Sequence, residues 1–171
     1  LGDLVGKEPA SKQAFSKARQ KISPECFREM HSHCLDVHYR AAPKDGLWKG
    51  YRSIACDGST LRLPESEELA KKFGRGPSKA EFTEAPPMAR ISEFTDMAMK
   101  LTLSGRIAPY QTSEEVLAGE QLEEVVKKMK SLDQNKMIFV YDRGYPSDSF
   151  VDKHIALGVD FVFRLPKNFN K

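Results

Sequence analysis

The chain has 171 residues, 40% hydrophobic and 30% charged, with one Trp, five Tyr and ten Phe. That apolar content can offset the chain entropy of one folded domain, which argues against disorder, and the length is short for two domains. The net charge of +3 lies wholly in residues 1–50, where nine Lys/Arg face six Asp/Glu; residues 51–171 hold eighteen of each sign. So mild an excess does not by itself indicate nucleic-acid binding.

Residues 11–22 carry four basic groups, Lys12, Lys17, Arg19 and Lys21, and no acid. Phe15, Ala18 and Ile22 recur at helical spacing, so a basic amphipathic helix is expected, its charges on the solvated face or on phosphates. Ser23-Pro24 breaks it and starts a second helix over about Glu25 to His38, with Phe27, Met30, Cys34 and Val37 along an expected inward stripe. His31, Cys34 and His38 share one face at tolerable ligand spacing, but no fourth ligand accompanies them, and a packed thiol is the commoner use. A connector, Ala42 to Gly46, closes a helical N-terminal segment, residues 1–50. The expected α/β domain fills residues 51–171.

Ser53 to Cys56 is an expected short strand, ended by a turn at Asp57-Gly58-Ser59, and Leu61 and Leu63 alternate along a second. Pro64 to Pro87 is polar and reads as a loop with one helical turn near Ser66–Phe73. Met88 to Phe94 and Met97 to Leu103 are expected as a hairpin joined at Thr95-Asp96. Thr112-Ser113-Glu114-Glu115 has the form of a capping box opening a long helix, with Leu122, Val125, Val126, Met129 and Leu132 inward. Met137 to Tyr141 is continuously apolar, as in a central strand covered on both faces, and is the longest such run. It falls far short of the ~20 residues of a membrane span. A short helix over Ser147 to Leu157, with Phe150, Val151, His154 and Ile155 inward, stops at Gly158, and Val159 to Leu165 forms a last strand. The final β-α-β unit is expected to be parallel.

Asp57 and Asp142 each follow an expected strand, 85 residues apart. Functional groups of α/β sheets gather at such positions. Two carboxylates facing one crevice call for a divalent cation with hard oxygen ligands, most often Mg²⁺, which serves phosphodiester chemistry. Asp also suits turns and helix starts without any such role. Other chemistries fit less well. FGRGP (Phe73 to Pro77) lacks the Lys-Ser/Thr of a phosphate loop, and Ser59 and Ser147 lack a His and acid partner. ACDGSTL echoes an aspartyl-phosphatase loop, but the nucleophile position would be Ala55.

The blocks SKQAFSKARQKI, IACDGSTLRLP, ARISEFTDMAMKLTLSGRIAP, FVYDRGYPS and FVFRLPKN, in that order, resemble the catalytic region of bacterial insertion-sequence transposases of the DDE class. The resemblance runs from about Lys12 to Asn168. It implies a ribonuclease-H-like mixed sheet flanked by helices, preceded by the short helical segment. It also implies divalent-metal-dependent DNA cleavage and strand transfer, with Asp57 and Asp142 as catalytic, metal-binding residues. Mg²⁺ or Mn²⁺ is implied as cofactor, two ions in the complete enzyme. Arg143, Gly144 and Tyr145 match the segment after the second Asp. Arg143, Arg164 and Lys167, near the crevice, and Lys12, Lys17, Arg19 and Lys21 are the expected DNA-binding residues.

The implied partners are double-stranded DNA (transposon ends and target) and a second copy in a synaptic complex; no membrane is expected. Three cysteines without CxxC spacing and the lack of a basic-then-apolar leader suggest a cytoplasmic, nucleoid-associated protein. The family's third carboxylate, a Glu on a helix beyond the last strand, has no counterpart after Phe163. The chain is therefore expected to be an excerpt and inactive alone. The alternative is a ribonuclease-H-like protein that binds DNA or partners without cutting.

Overall fold

A computed structural model describes residues 11–77 and 85–165. Two compact units meet in sequence at Ala41/Ala42. The first contains α1 (Lys12–Arg19), capped by Ser11, whose hydroxyl accepts from the Ala14 N–H at 3.1 Å, and α2 (Pro24–Ala41). The expected inward stripe is a misreading: Phe27, Met30 and Val37 are more than half exposed and Cys34 is exposed, whereas Leu35 and Tyr39 are buried. Leu35 and Tyr39 lie one helical turn apart, on a different face from that stripe. Among the described residues no group of three or more His, Cys, Asp or Glu could hold a metal, which removes the His31–Cys34–His38 alternative. No described helix is long and apolar enough to cross a membrane.

The second unit is a five-stranded mixed sheet in the order β3-β2-β1-β4-β5. Its elements in chain order are β1 (Arg52–Arg62), α3 (Glu67–Phe73), β2 (Met88–Asp96), β3 (Leu101–Pro109), α4 (Glu114–Ser131), β4 (Met137–Tyr141), α5 (Asp148–Leu157) and β5 (Asp160–Phe163). The first three strands are antiparallel neighbours, and β4 and β5 join β1 in parallel, as expected for the β-α-β unit. An antiparallel meander followed by two helix-connected parallel strands is the ribonuclease-H-like arrangement.

Several boundaries differ from the expectations. β1 runs unbroken through Asp57-Gly58-Ser59, because β2 pairs with it from Ile54 to Arg62 and supplies ladder partners where a turn was expected. The hairpin turn lies at 97–100 rather than Thr95-Asp96. The buried Asp96 carboxylate accepts from the Ala98 and Met99 N–H groups, each at 3.0 Å, and folds the chain back. Met97 and Met99 therefore sit in the turn, and SGRIAP, unassigned above, completes β3. The cap of α4 is Ser113, whose hydroxyl accepts from the Val116 N–H at 3.2 Å. Glu115 is thus not the third helical residue that a Thr112 capping box requires.

The core lies on one face of the sheet. Ile54, Cys56, Phe94, Phe139 and Tyr141 are buried there, with Leu122, Val125, Val126 and Met129 of α4 and Phe150 and His154 of α5. Complete burial of each large apolar side chain contributes roughly 1.5–3 kcal/mol. β4 is consequently not covered on both faces, for Ile138 and Val140 are only half-buried. They line a cavity of about 590 Å³ with Trp48, Ser53, Met97 and Val162. Ile155 of α5, expected inward, is 65% exposed.

The first residue of β1 anchors the unit. The Arg52 side chain is wholly buried, 3.2 Å from the Asp96 carboxylate, and donates to the Asp45 and Pro43 carbonyls and to the Gln134 amide oxygen. One guanidinium thereby ties the connector, the β2–β3 turn and the loop before β4 to the sheet, using its planar fork of donors.

Candidate metal and phosphate site

Asp57 does not end a strand, as its sequence context suggested; it sits in the middle of β1. Its position is nevertheless special. β1 and β4 pair from Arg52↔Met137 to Cys56↔Tyr141, so Asp57 and Asp142 are each the next residue beyond the last parallel pair. Adjacent strands lie about 4.8 Å apart. The register thus brings together two residues separated by 85 positions in the chain. Side-chain alternation sends Cys56 to the core and Asp57 to the open face, where it lines a cavity of about 220 Å³ with Ala55, Ser59, Glu93 and Thr95.

Both carboxylates are solvent-exposed. Asp57 Oδ1 accepts from the Gly58 N–H at 2.9 Å, which orients it. Asp142 Oδ1 lies 3.5 Å from Arg164 Nη1, and the Arg164 N–H donates to the Tyr141 carbonyl at 3.0 Å. The structure therefore brings Arg164 to Asp142. Arg143 is exposed beside Asp142 in sequence, and Lys12, Lys17, Arg19 and Lys21 are exposed in the first unit. Lys167 lies outside the described residues.

Sequence reading passed over Glu93, and it placed Glu114 only in a capping box and Tyr145 only in the segment after Asp142. Glu93 of β2 is directly opposite Asp57 in register, and its Oε1 accepts from the Thr95 hydroxyl at 3.0 Å and the Thr102 hydroxyl at 2.5 Å. Like charges opposite one another across a ladder destabilise it unless something offsets them. Glu114, at the first turn of α4, packs on Gly58 and pairs with Arg90 at 2.8 Å. Tyr145 is buried, with its hydroxyl 3.9 Å from Cys56 Sγ. Register with Asp57 is the signal for Glu93, and it needs the correct hairpin turn; the other two are tertiary contacts without a local pattern.

Burial governs the ionisable groups beneath the site. It pushes the Cys56 thiol up to about 11, partly countered by hydrogen bonds with Ser92 and Tyr145. Burial likewise raises the Tyr141 and Tyr145 phenols, with Cys56 adding to both, so this layer stays neutral. Beneath Asp57 the core is thus neutral at Cys56, Tyr141 and Tyr145, while Glu114, paired with Arg90, packs beside them on Gly58. Two carboxylates at one strand junction are hard oxygen donors of the kind Mg²⁺ and Mn²⁺ take, so the residues fit a divalent cation.

The sheet order defines a ribonuclease-H-like domain, with two exposed carboxylates at the β1–β4 junction. The chain matches the family model described as transposase DDE domain over residues 48–171, and it belongs to that family. Among solved structures it is similar to the Mos1 transposase paired-end complex with left transposon end, at 11% identity and a TM-score of 0.46, covering 98% of this chain and 49% of that one. It is also similar to the Mos1 transposase catalytic domain with Raltegravir and Mn, at 12% identity and a TM-score of 0.43, covering 85% and 62%. The piggyBac transposase synaptic complex with hairpin DNA gives 14% and 0.46, covering 68% and 23%. The chain spans about half the length of the first of these. No curated protein matches it in sequence.

Proposed function

We propose that this chain supplies the metal-binding centre of a transposase that cleaves and joins DNA. The observation that carries the reading is the β1–β4 register, which makes Asp57 and Asp142 neighbours at one strand junction. Asp57 and Asp142 would hold Mg²⁺ or Mn²⁺, two ions in the complete enzyme. When bound, such ions activate an attacking oxygen and stabilise a leaving one in phosphodiester chemistry. The Gly58 N–H orients Asp57, and Arg164 lies beside Asp142 at 3.5 Å.

Arg143, Arg164 and Lys167 would contact phosphates beside the centre, and Lys12, Lys17, Arg19 and Lys21 would add sequence-independent contacts from α1 and the turn after it. The proposed substrates are the ends of a bacterial insertion sequence and target DNA, brought together by a homodimer at the nucleoid. Residues 1–50 would form the helical preface and 51–171 the catalytic part.

Titration with Mn²⁺ by calorimetry tests the reading. Wild type binds, and Asp57→Asn or Asp142→Asn each weakens binding at least about tenfold, since each removes one hard ligand. Arg143→Ala reduces the salt slope of duplex DNA binding by about 1. Mn²⁺ binding that ignores both aspartate changes would refute the assignment.

A further inference from the structure

Asp57 and Asp142 lie on separate strands, so any cation between them depends on how firmly the two strand ends are held together. The β1–β4 ladder stops at Cys56↔Tyr141, one residue short of both acids. Beyond that point, Tyr145 has a buried side chain that reaches from the Asp142 loop back to β1.

Its backbone N–H donates to the Asp142 carbonyl at 3.3 Å and closes the turn that carries Asp142. Its ring is 1% exposed and packs on Tyr141 at 5.3 Å and Phe150 at 6.2 Å between centroids. Its hydroxyl lies 3.9 Å from the Sγ of Cys56, the residue immediately before Asp57, and accepts from that thiol. Cys56 Sγ in turn lies 3.7 Å from Ser92 Oγ on β2. Ser92 is fully buried and stands opposite Gly58, the residue immediately after Asp57. The chain Tyr145–Cys56–Ser92 therefore runs beneath Asp57 from one side to the other and ends in the Asp142 turn.

We propose that Tyr145 is a positioning residue, whose phenol, through Cys56, fixes the Asp142 turn against β1 and so sets the spacing of the two carboxylates for a shared divalent cation. The inference rests on the metal assignment above. Groups that orient metal ligands without touching the metal commonly change metal affinity about 10–100-fold. A residue that only filled the core would change stability instead. The phenylalanine variant separates the two roles, because it keeps the ring packing and removes only the hydroxyl.

The test is Mn²⁺ calorimetry on wild type, Tyr145→Phe, Cys56→Ala and the double variant, with metal-free thermal unfolding alongside. Tyr145→Phe is expected to weaken Mn²⁺ binding about tenfold and to leave the metal-free Tm within about 4 °C of wild type. Cys56→Ala is expected to weaken it too, and the double variant no further than the stronger single one, because both act through one contact. If Tyr145→Phe binds Mn²⁺ like wild type while Asp57→Asn and Asp142→Asn do not, the positioning role is overturned and the metal site stands. If neither aspartate change alters Mn²⁺ binding, the metal assignment fails and the positioning role with it. Strictly additive losses in the double variant would also overturn the coupling through Cys56.

Discussion

Gly58 shows how one residue can be fixed by its neighbour rather than by its own backbone. Its φ is not in the left-handed region, yet a Cβ there would lie 2.8 Å from Glu114 Oε1 and closer still to the carbons of that side chain. Glu114 is held in turn by Arg90, whose guanidinium sits over the Tyr110 ring at 5.5 Å. Gly58→Ala is therefore expected to displace Glu114 and cost about 1–3 kcal/mol, the range for overpacking. Urea unfolding of Gly58→Ala, Glu114→Ala and the double variant checks this. The double variant should recover most of the Gly58→Ala loss, and a double variant as unstable as the sum of the singles would contradict it.

Asp57 and Asp142 stand out in the sequence because each follows an apolar strand-like run and lies in a block with a family resemblance, and the β1–β4 register sets them side by side. Glu114's contact with Gly58 was not legible. Two residues 56 positions apart meet only once α4 has packed on the sheet, and nothing in either segment signals the meeting.

At the scale of elements, α5 is joined to the sheet through a histidine. His154 is wholly buried; its Nε2 lies 2.8 Å from the Tyr141 hydroxyl and its Nδ1 2.7 Å from the Phe150 carbonyl. A neutral ring satisfies both contacts, with Nδ1–H donating to the carbonyl and the tyrosine donating to Nε2. Rings of Phe139, Tyr141, Phe150, Phe161 and Phe163 surround it at 4.7–6.1 Å. Burial lowers its pKa below the usual 6.5, the Phe150 carbonyl opposing weakly.

The unfolded chain therefore takes up a proton before the folded one does, so stability falls as pH drops below about 6.5. Urea midpoints at pH 7.5 and 5.5 test this. Wild type should lose stability at the lower pH, and His154→Leu, less stable at pH 7.5, should lose less on acidification. An equal acid loss in both proteins would contradict it.

The elements that sequence read well, α4, β4 and α5, owe their signal to burial of one helical face or one strand core. β1 was misread because strand pairing decides it, and the β2–β3 turn because a single local side chain does. β2 pairs through an apparent turn at Asp57-Gly58-Ser59, and the Asp96 carboxylate bends the backbone three residues later than alternation suggested. The α2 stripe failed for the opposite reason: its periodicity is real, but the residues that become buried, Leu35 and Tyr39, lie on another face.

At the scale of the whole molecule, the even charge balance of residues 51–171 acquires a spatial meaning. Acidic side chains on the open face of the sheet, Asp57 and Glu93, stand beside the strand end that carries Asp142, with Arg164 against it. The opposite face carries the aromatic core together with the Arg52–Asp96 and Arg90–Glu114 ion pairs. The +3 excess of the sequence belongs to residues 1–50. An acidic centre repels a phosphate backbone unless a cation intervenes. Metal binding and DNA binding on this face are therefore expected to be linked, each strengthening the other.

Anomalous diffraction of Mn²⁺ in crystals of this chain tests most directly the proposal that Asp57 and Asp142 share one divalent cation. A peak contacted by carboxylate oxygens of both residues is expected. A peak elsewhere, or the two carboxylates more than about 10 Å apart and so beyond shared ligation, would contradict it.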